Sequence, residues 1–128
     1  MTTKRVDHTQ DTLTKVLVCS REAADRQAED VLILDLARHT SFTDYFVIGS
    51  GRSSRQVQAI AEQVERRMLE AGFRPLHIEG QQEGHWILMD YGDVIVHIFY
   101  RPIRELYDLE SLWADAERID PESVQAVS

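Results

Sequence analysis

Two spacings of apolar residues take turns along this chain. In TLTKVLVCSREAADRQ, Leu13, Val16, Leu17 and Ser20 fall at helical intervals, followed by Ala23 and Ala24, which predicts a first helix. DVLILDL, Asp30 to Leu36, is a short run of branched apolar residues and reads as a buried strand. The polar connection ARHTSFT follows, and DYFVIGSG, Asp44 to Gly51, is a second strand running into a glycine-flanked turn. SSRQVQAIAEQVERRMLEAG then places Val57, Ile60, Ala61, Val64 and Met68 on one helical face, between a serine cap and Gly72. RPLHIEG is a short strand and QQEGH a loop. Trp86–Asp90 and Val94–Tyr100 form the two arms of a hairpin whose apolar residues, alternating and adjacent, predict cover on both faces. Pro102 opens a third helix, with Leu106, Leu109, Trp113 and Ala116 as its core-facing line. DPESVQAVS reads as a frayed end.

The order is α-β-β-α-β-β-β-α, and the expectation is one α/β (α+β) domain: a five-stranded mixed sheet flanked by helices. The domain is expected over residues 10–118, with a polar N-terminal tail over 1–9 and a flexible C-terminal tail over 119–128.

Composition narrows the function. At 128 residues, 43% of them hydrophobic, the chain has the material for a core without disulfides or metal. Its 22 acidic and 14 basic side chains give a formal charge of -8, which argues against unaided nucleic-acid binding and suits a basic partner. Cys19 stands alone, so neither an internal disulfide nor a multi-cysteine zinc site is available, and a small buried thiol is the expectation. The first residues lack the apolar core of a signal peptide and the apolar runs are too short to span a bilayer, so a cytoplasmic protein is expected.

Three stretches carry candidate chemistry. Asp90-Tyr91-Gly92-Asp93 joins the hairpin arms; turn formation accounts for both aspartates, while metal-assisted phosphoryl transfer would need them to converge on one cation. GSGRSSRQ, Gly49 to Gln56, lies between strand and helix, where amides plus Arg52 and Arg55 suit a phosphate. It lacks the spacing of a P-loop or a dinucleotide fingerprint, and no aspartate follows before Asp90, so a structural turn with a serine cap is the simpler account. His97, inside a strand, reads as a core or interface histidine, and the other histidines form no ligand-like pair. Arg52, Arg55, Arg66, Arg67 and Arg74 are interrupted by acidic neighbours, leaving an RNA contact secondary. Trp86 stands at the mouth of the hairpin after a polar loop, where an aromatic beside carboxylates suits a protein-binding hot spot.

TDYFVIGSGRSSRQVQAIA (Thr43 to Ala61), WILMDYGDVIVHIF (Trp86 to Phe99) and RELYDLESLW (Arg104 to Trp113), in that order, resemble the ribosomal silencing factors, the RsfS or Iojap-like family. The resemblance spans roughly residues 10–115. It implies a nucleotidyltransferase-like fold without established catalysis, docked on the basic fourteenth protein of the large ribosomal subunit. Joining of the small subunit would be blocked and translation repressed when nutrients are scarce, with a homodimer off the ribosome. Carried over by position, Trp86 is the interface tryptophan, and Asp90, Gly92, Asp93 and His97 supply rim contacts and scaffolding. Tyr107 and Trp113 belong to the third-helix motif, and Thr43, Asp44 and Tyr45 border the same surface. The expected partner-binding set is thus Trp86, Asp90, Tyr91, Asp93, His97, Asp44, Tyr45 and Tyr107, with no catalytic or metal-ligating residue and no cofactor. Two alternatives stay open: a large-subunit assembly factor and a nucleotidyltransferase-like enzyme.

Overall fold

The computed structural model describes residues 8–124; residues 1–7 and 125–128, which hold much of the two expected tails, lie outside the described residues. Eleven elements follow in order: α1 (His8–Asp25), β1 (Glu29–Asp35), β2 (Tyr45–Gly51), α2 (Ser54–Glu70), β3 (His77–Glu79), β4 (Trp86–Asp90), β5 (Val94–Tyr100), α3 (Arg101–Tyr107), α4 (Leu109–Leu112), β6 (Glu117–Ile119) and a 3₁₀ turn (Pro121–Ser123).

The six strands lie in the order β3-β4-β5-β2-β1-β6. β2 and β5 pair in parallel at the centre, and every other neighbour is antiparallel. Alternation sorts the side chains. Ile33, Val47, Ile87, Met89, Val96 and Ile98 pack with Val16, Cys19 and Ala23 of α1 and with Val57, Ile60, Val64 and Met68 of α2. The interleaved residues Leu34, Phe46, Ile48, Ile95 and Phe99 form a second cluster on the opposite face, met there by Ile103, Leu109 and Trp113. Val94 to Phe99 are buried on both faces, as the mixed apolar pattern of that arm predicts.

Local chemistry sets the boundaries. The Ser53 side chain accepts from the amide of Gln56 (3.1 Å), and the Gln56 carboxamide accepts from the amide of Arg52 (2.7 Å). That reciprocal cap fills the α2 N-terminus with the protein's own groups. Gly72, at φ 95°, follows the C-terminal cap. Burial raises the Cys19 thiol well above its ordinary range, consistent with an inert core residue.

Two expectations need correction. The sheet has six strands rather than five, because Glu117–Ile119 adds to β1 with Ile119 opposite Ile33. Those three residues contain a single apolar side chain, too short a pattern to show alternation. The expected third helix is broken in two: Asp108 adopts a left-handed conformation (φ 46°) between α3 and α4. The break resets the helical phase, so Leu106 faces solvent at 73% exposure, while Leu109 and Trp113 pack on the sheet and Ala116 is buried beyond the helix. Among the described residues, no helix is long and apolar enough to cross a membrane.

Candidate protein-docking site

On the sheet face opposite α1 and α2, the short helices α3 and α4 leave a band of aromatic rings partly open. Tyr107 and Trp86 lie 5.0 Å apart between centroids, and Trp86 stacks on Phe99 at 4.9 Å. His97 sits edge-on to Phe46 at 4.4 Å, Phe46 meets Trp113 at 6.1 Å, and Trp113 meets Phe42 at 6.3 Å. The ends of this band are open: Tyr107 is 55% and Phe42 57% exposed. Trp86, Leu88 and Trp113 are half-buried, and Leu106 and Leu112 of the neighbouring helices face solvent. Rings held by a rigid sheet with one side toward solvent suit a contact hot spot, because little side-chain freedom remains to be lost on binding.

Trp86 is placed by its backbone as much as by its ring. The loop before β4 folds back so closely that a Cβ on Gly80 would stand 2.0 Å from the Trp86 carbonyl oxygen, and Gly80 itself has φ 84°. Only glycine fits both demands. The indole Nε1–H donates to Nδ1 of His97 at 3.1 Å. That bond fixes the neutral histidine with its proton on Nε2, and Nε2 is buried with no hydrogen-bond partner. Burial pushes the His97 pKa down to about 3, so the ring is neutral at physiological pH.

The structure divides the residues expected to bind a partner. Trp86 and Tyr107 share the open band, with His97 beneath them. Asp90 lies at the end of β4, where its Oδ1 accepts from the Gly92 amide (2.8 Å) and shapes the turn; its Oδ2 is 3.8 Å from His77 of the edge strand. Asp93 turns to the helical side instead: its carboxylate accepts from the Thr12 hydroxyl and from Lys15 Nζ at 2.8 Å. Its carbonyl also accepts from the amides of Asp44 and Tyr45, so the turn is stitched to α1 and to the start of β2. Asp90 and Asp93 therefore diverge. Tyr91 is buried at 5% exposure in the α1–α2 core, its hydroxyl without a partner and its pKa raised mainly by that burial. Tyr91 therefore stands on the helical side of the sheet, apart from the open band. Tyr45 also packs toward the helical side, its pKa raised by burial and then by Asp35, Asp44 and Glu117.

Phe42, Phe46 and Leu112 were not singled out from sequence, and Leu106 only as a core residue, yet all four extend the band. Phe42 alone carried a signal, as an isolated aromatic in an otherwise polar connection. Among the described residues, no three His, Cys, Asp or Glu side chains gather as a cation site. A second polar cluster braces α3: Arg104 donates to Glu110 (3.1 Å), to the Ser50 hydroxyl (2.9 Å) and to the Asp30 carbonyl (2.9 Å). It ties the broken helix to the β1 bulge that separates Glu29 from Leu32.

Comparison with known proteins gives this surface a context. A ribosomal silencing factor RsfS of Bacillus subtilis is 44% identical over 96 residues, 75% of this chain and 81% of that protein. A mouse protein named mitochondrial assembly of ribosomal large subunit protein 1 is 34% identical over 89 residues, covering 67% of this chain and 39% of its own length. A crystal structure of a Chromobacterium violaceum protein superposes with a TM-score of 0.75 at 34% identity, over 81% of this chain and 85% of that one. One from Bacillus halodurans gives 0.74 at 33%, over 88% and 99%. The family described as ribosomal silencing factor during starvation matches residues 9–128, and the chain belongs to that family.

Proposed function

We propose that this protein silences translation by docking on the large ribosomal subunit through the open aromatic band, with the basic fourteenth protein of that subunit as its partner. Trp86 is the anchor and Tyr107 its neighbour, flanked by Phe42, Leu106 and Leu112; Asp90 lies at the margin. Asp44, Tyr45, Tyr91 and Asp93 act as scaffold. Bound there, the protein occludes the joining surface for the small subunit and needs no catalysis and no cofactor. It acts in the cytoplasm, where its target is.

The observation that carries this reading is the half-buried Trp86 on a sheet face that α3 and α4 cover only in part, in a chain of this family. Charge supports it. Residues 101–118 carry five carboxylates and three arginines; with Arg104 paired to Glu110 and Arg101 to Glu29, Glu105, Asp108, Asp115 and Glu117 stand against Arg118. An acidic border steers a basic partner into contact, while the aromatic anchor slows its departure.

The test is co-sedimentation with isolated large and small subunits. Wild type is expected with the large subunit only. Truncating an interface tryptophan costs on the order of 2–4 kcal/mol, so Trp86→Ala should weaken binding roughly 30-fold or more with the fold intact. A folded Trp86→Ala variant that binds as wild type refutes the reading. A second reading, a role in large-subunit assembly, draws on the name of the mouse relative. It uses the same surface, and depletion that yields immature large subunits in rich medium would favour it.

A further inference from the structure

We propose that His97 is a positioning residue for docking: from beneath the sheet face it holds the Trp86 indole flat, so that the anchor is preformed before a partner arrives. This rests on the docking reading above.

The choice of histidine is otherwise hard to explain. His97 is 3% exposed, its cross-strand neighbours are Ile48 and Leu88, and its ring contacts are Phe46, Phe99 and Trp86. A leucine would fill such a site with no polar atom to satisfy. The histidine instead leaves a buried Nε2–H without an acceptor, a standing cost to the fold. What it supplies in return is a single acceptor, Nδ1, and that acceptor is spent on the Trp86 Nε1–H. Trp86 opens its strand and is only half-buried, so without the bond its indole has other rotamers and water available. With it, the ring is held at one edge by His97, against Phe99 on one side and beside Tyr107. An anchor held in its bound geometry loses less freedom on docking. A fold that keeps a costly polar group beneath a contact surface is trading stability for function.

Two variants separate positioning from plain structure. His97→Leu fills the site without an acceptor, and His97→Asn offers its Oδ1 close to where Nδ1 stood. Each is measured in three ways: solvent exchange of the Trp86 indole N–H by NMR, with Trp113 as internal reference; affinity for the isolated large subunit; and unfolding in urea. In His97→Leu, indole exchange should quicken roughly tenfold and affinity fall roughly 3- to 10-fold, while stability holds or rises. In His97→Asn, slow exchange and wild-type affinity should return. The assignment is overturned if His97→Leu keeps wild-type exchange and affinity, or loses affinity only as it loses folded protein. Should His97→Leu fail to fold, His97→Asn decides: rapid exchange or weak binding in that variant refutes the proposal. If wild type does not bind the large subunit, the docking reading fails, and indole exchange alone decides what His97 does.

Discussion

Acidification from pH 7 to pH 5 should cost this protein about 2 kcal/mol of folding stability through His97 alone. In the folded state its pKa lies near 3, whereas an unfolded histidine titrates near 6.5. Between those values the unfolded chain binds one more proton at this site than the folded chain, so stability rises with pH. The contribution is complete above about 6.5 and is lost as pH falls toward 3. The slope is about 1.4 kcal/mol per pH unit once below 6.5, and integrating the unfolded-state titration between pH 7 and 5 gives about 2 kcal/mol. The result hardly depends on the folded value provided it stays well below 5. In structural terms, a proton on Nδ1 would meet the Trp86 N–H donor head-on, inside a ring of Phe46, Phe99 and Trp86 that offers it no acceptor. The assay is urea unfolding of wild type and His97→Asn at both pH values. Other titrating groups cancel in the difference between the two proteins. Wild type should lose about 2 kcal/mol more than the variant, or roughly 6–10 °C in Tm for a domain of this size. Parallel pH dependences in the two proteins would refute the reasoning.

Asp93→Ala removes the acceptor shared by Thr12 and Lys15 and leaves the Lys15 ammonium mostly buried, so unfolding free energy should drop by about 2–3 kcal/mol while the folded protein still binds large subunits; a loss of affinity at full folding would place Asp93 in the interface. Tyr91→Phe deletes a buried hydroxyl that has no partner, and stability should hold or rise by up to about 1 kcal/mol in urea melts. A clear loss would show that the hydroxyl is bonded in solution. Gly80→Ala drives a Cβ into the Trp86 carbonyl at a positive φ, which should cost about 2 kcal/mol or more by the same melts and shift the Trp86 fluorescence.

The elements with strong periodicity were legible in the residues. α2 announced itself by its Val57–Ile60–Val64–Met68 stripe and Ser53 cap, and the β4–β5 hairpin by two apolar arms around Gly92. What escaped notice depended on single residues or on tertiary pairing. Asp108 gives no sign in sequence that it will turn left-handed, yet that one conformation exposes Leu106 and splits a helix. β6 exists because β1 offers it an edge, not because Glu117-Arg118-Ile119 favours a strand. At the candidate site, Trp86 stood out by its setting after a polar loop, and Tyr107 through its place in the third-helix motif. In β5 the mixed apolar pattern predicted cover on both faces, with His97 as a core or interface residue within it. The opposite headings of Asp90 and Asp93 were beyond pattern, because they depend on α1 delivering Thr12 and Lys15 to the turn.

The parallel seam at the middle of the sheet has a consequence for synthesis. Tyr45 lies opposite Val94 and Gly51 opposite Tyr100, so β2 waits for its central neighbour until α2, β3, β4 and β5 have emerged. The β1–β2 and β4–β5 hairpins are antiparallel and local, and each can close early, but the pairs that join them, such as Tyr45 with Val94, are more distant in sequence. Until they form, β2 presents an unpaired apolar edge, Phe46-Val47-Ile48, of the kind that invites pairing with another chain. Trp86 meets His97 within the β4–β5 hairpin, whereas Phe46 meets it only across the seam. The nascent protein therefore completes its aromatic band only once β5 joins β2, and a chain truncated before β5 would carry Phe42, Phe46 and Trp86 without the His97, Phe99, Tyr107 and Trp113 rings they pack against.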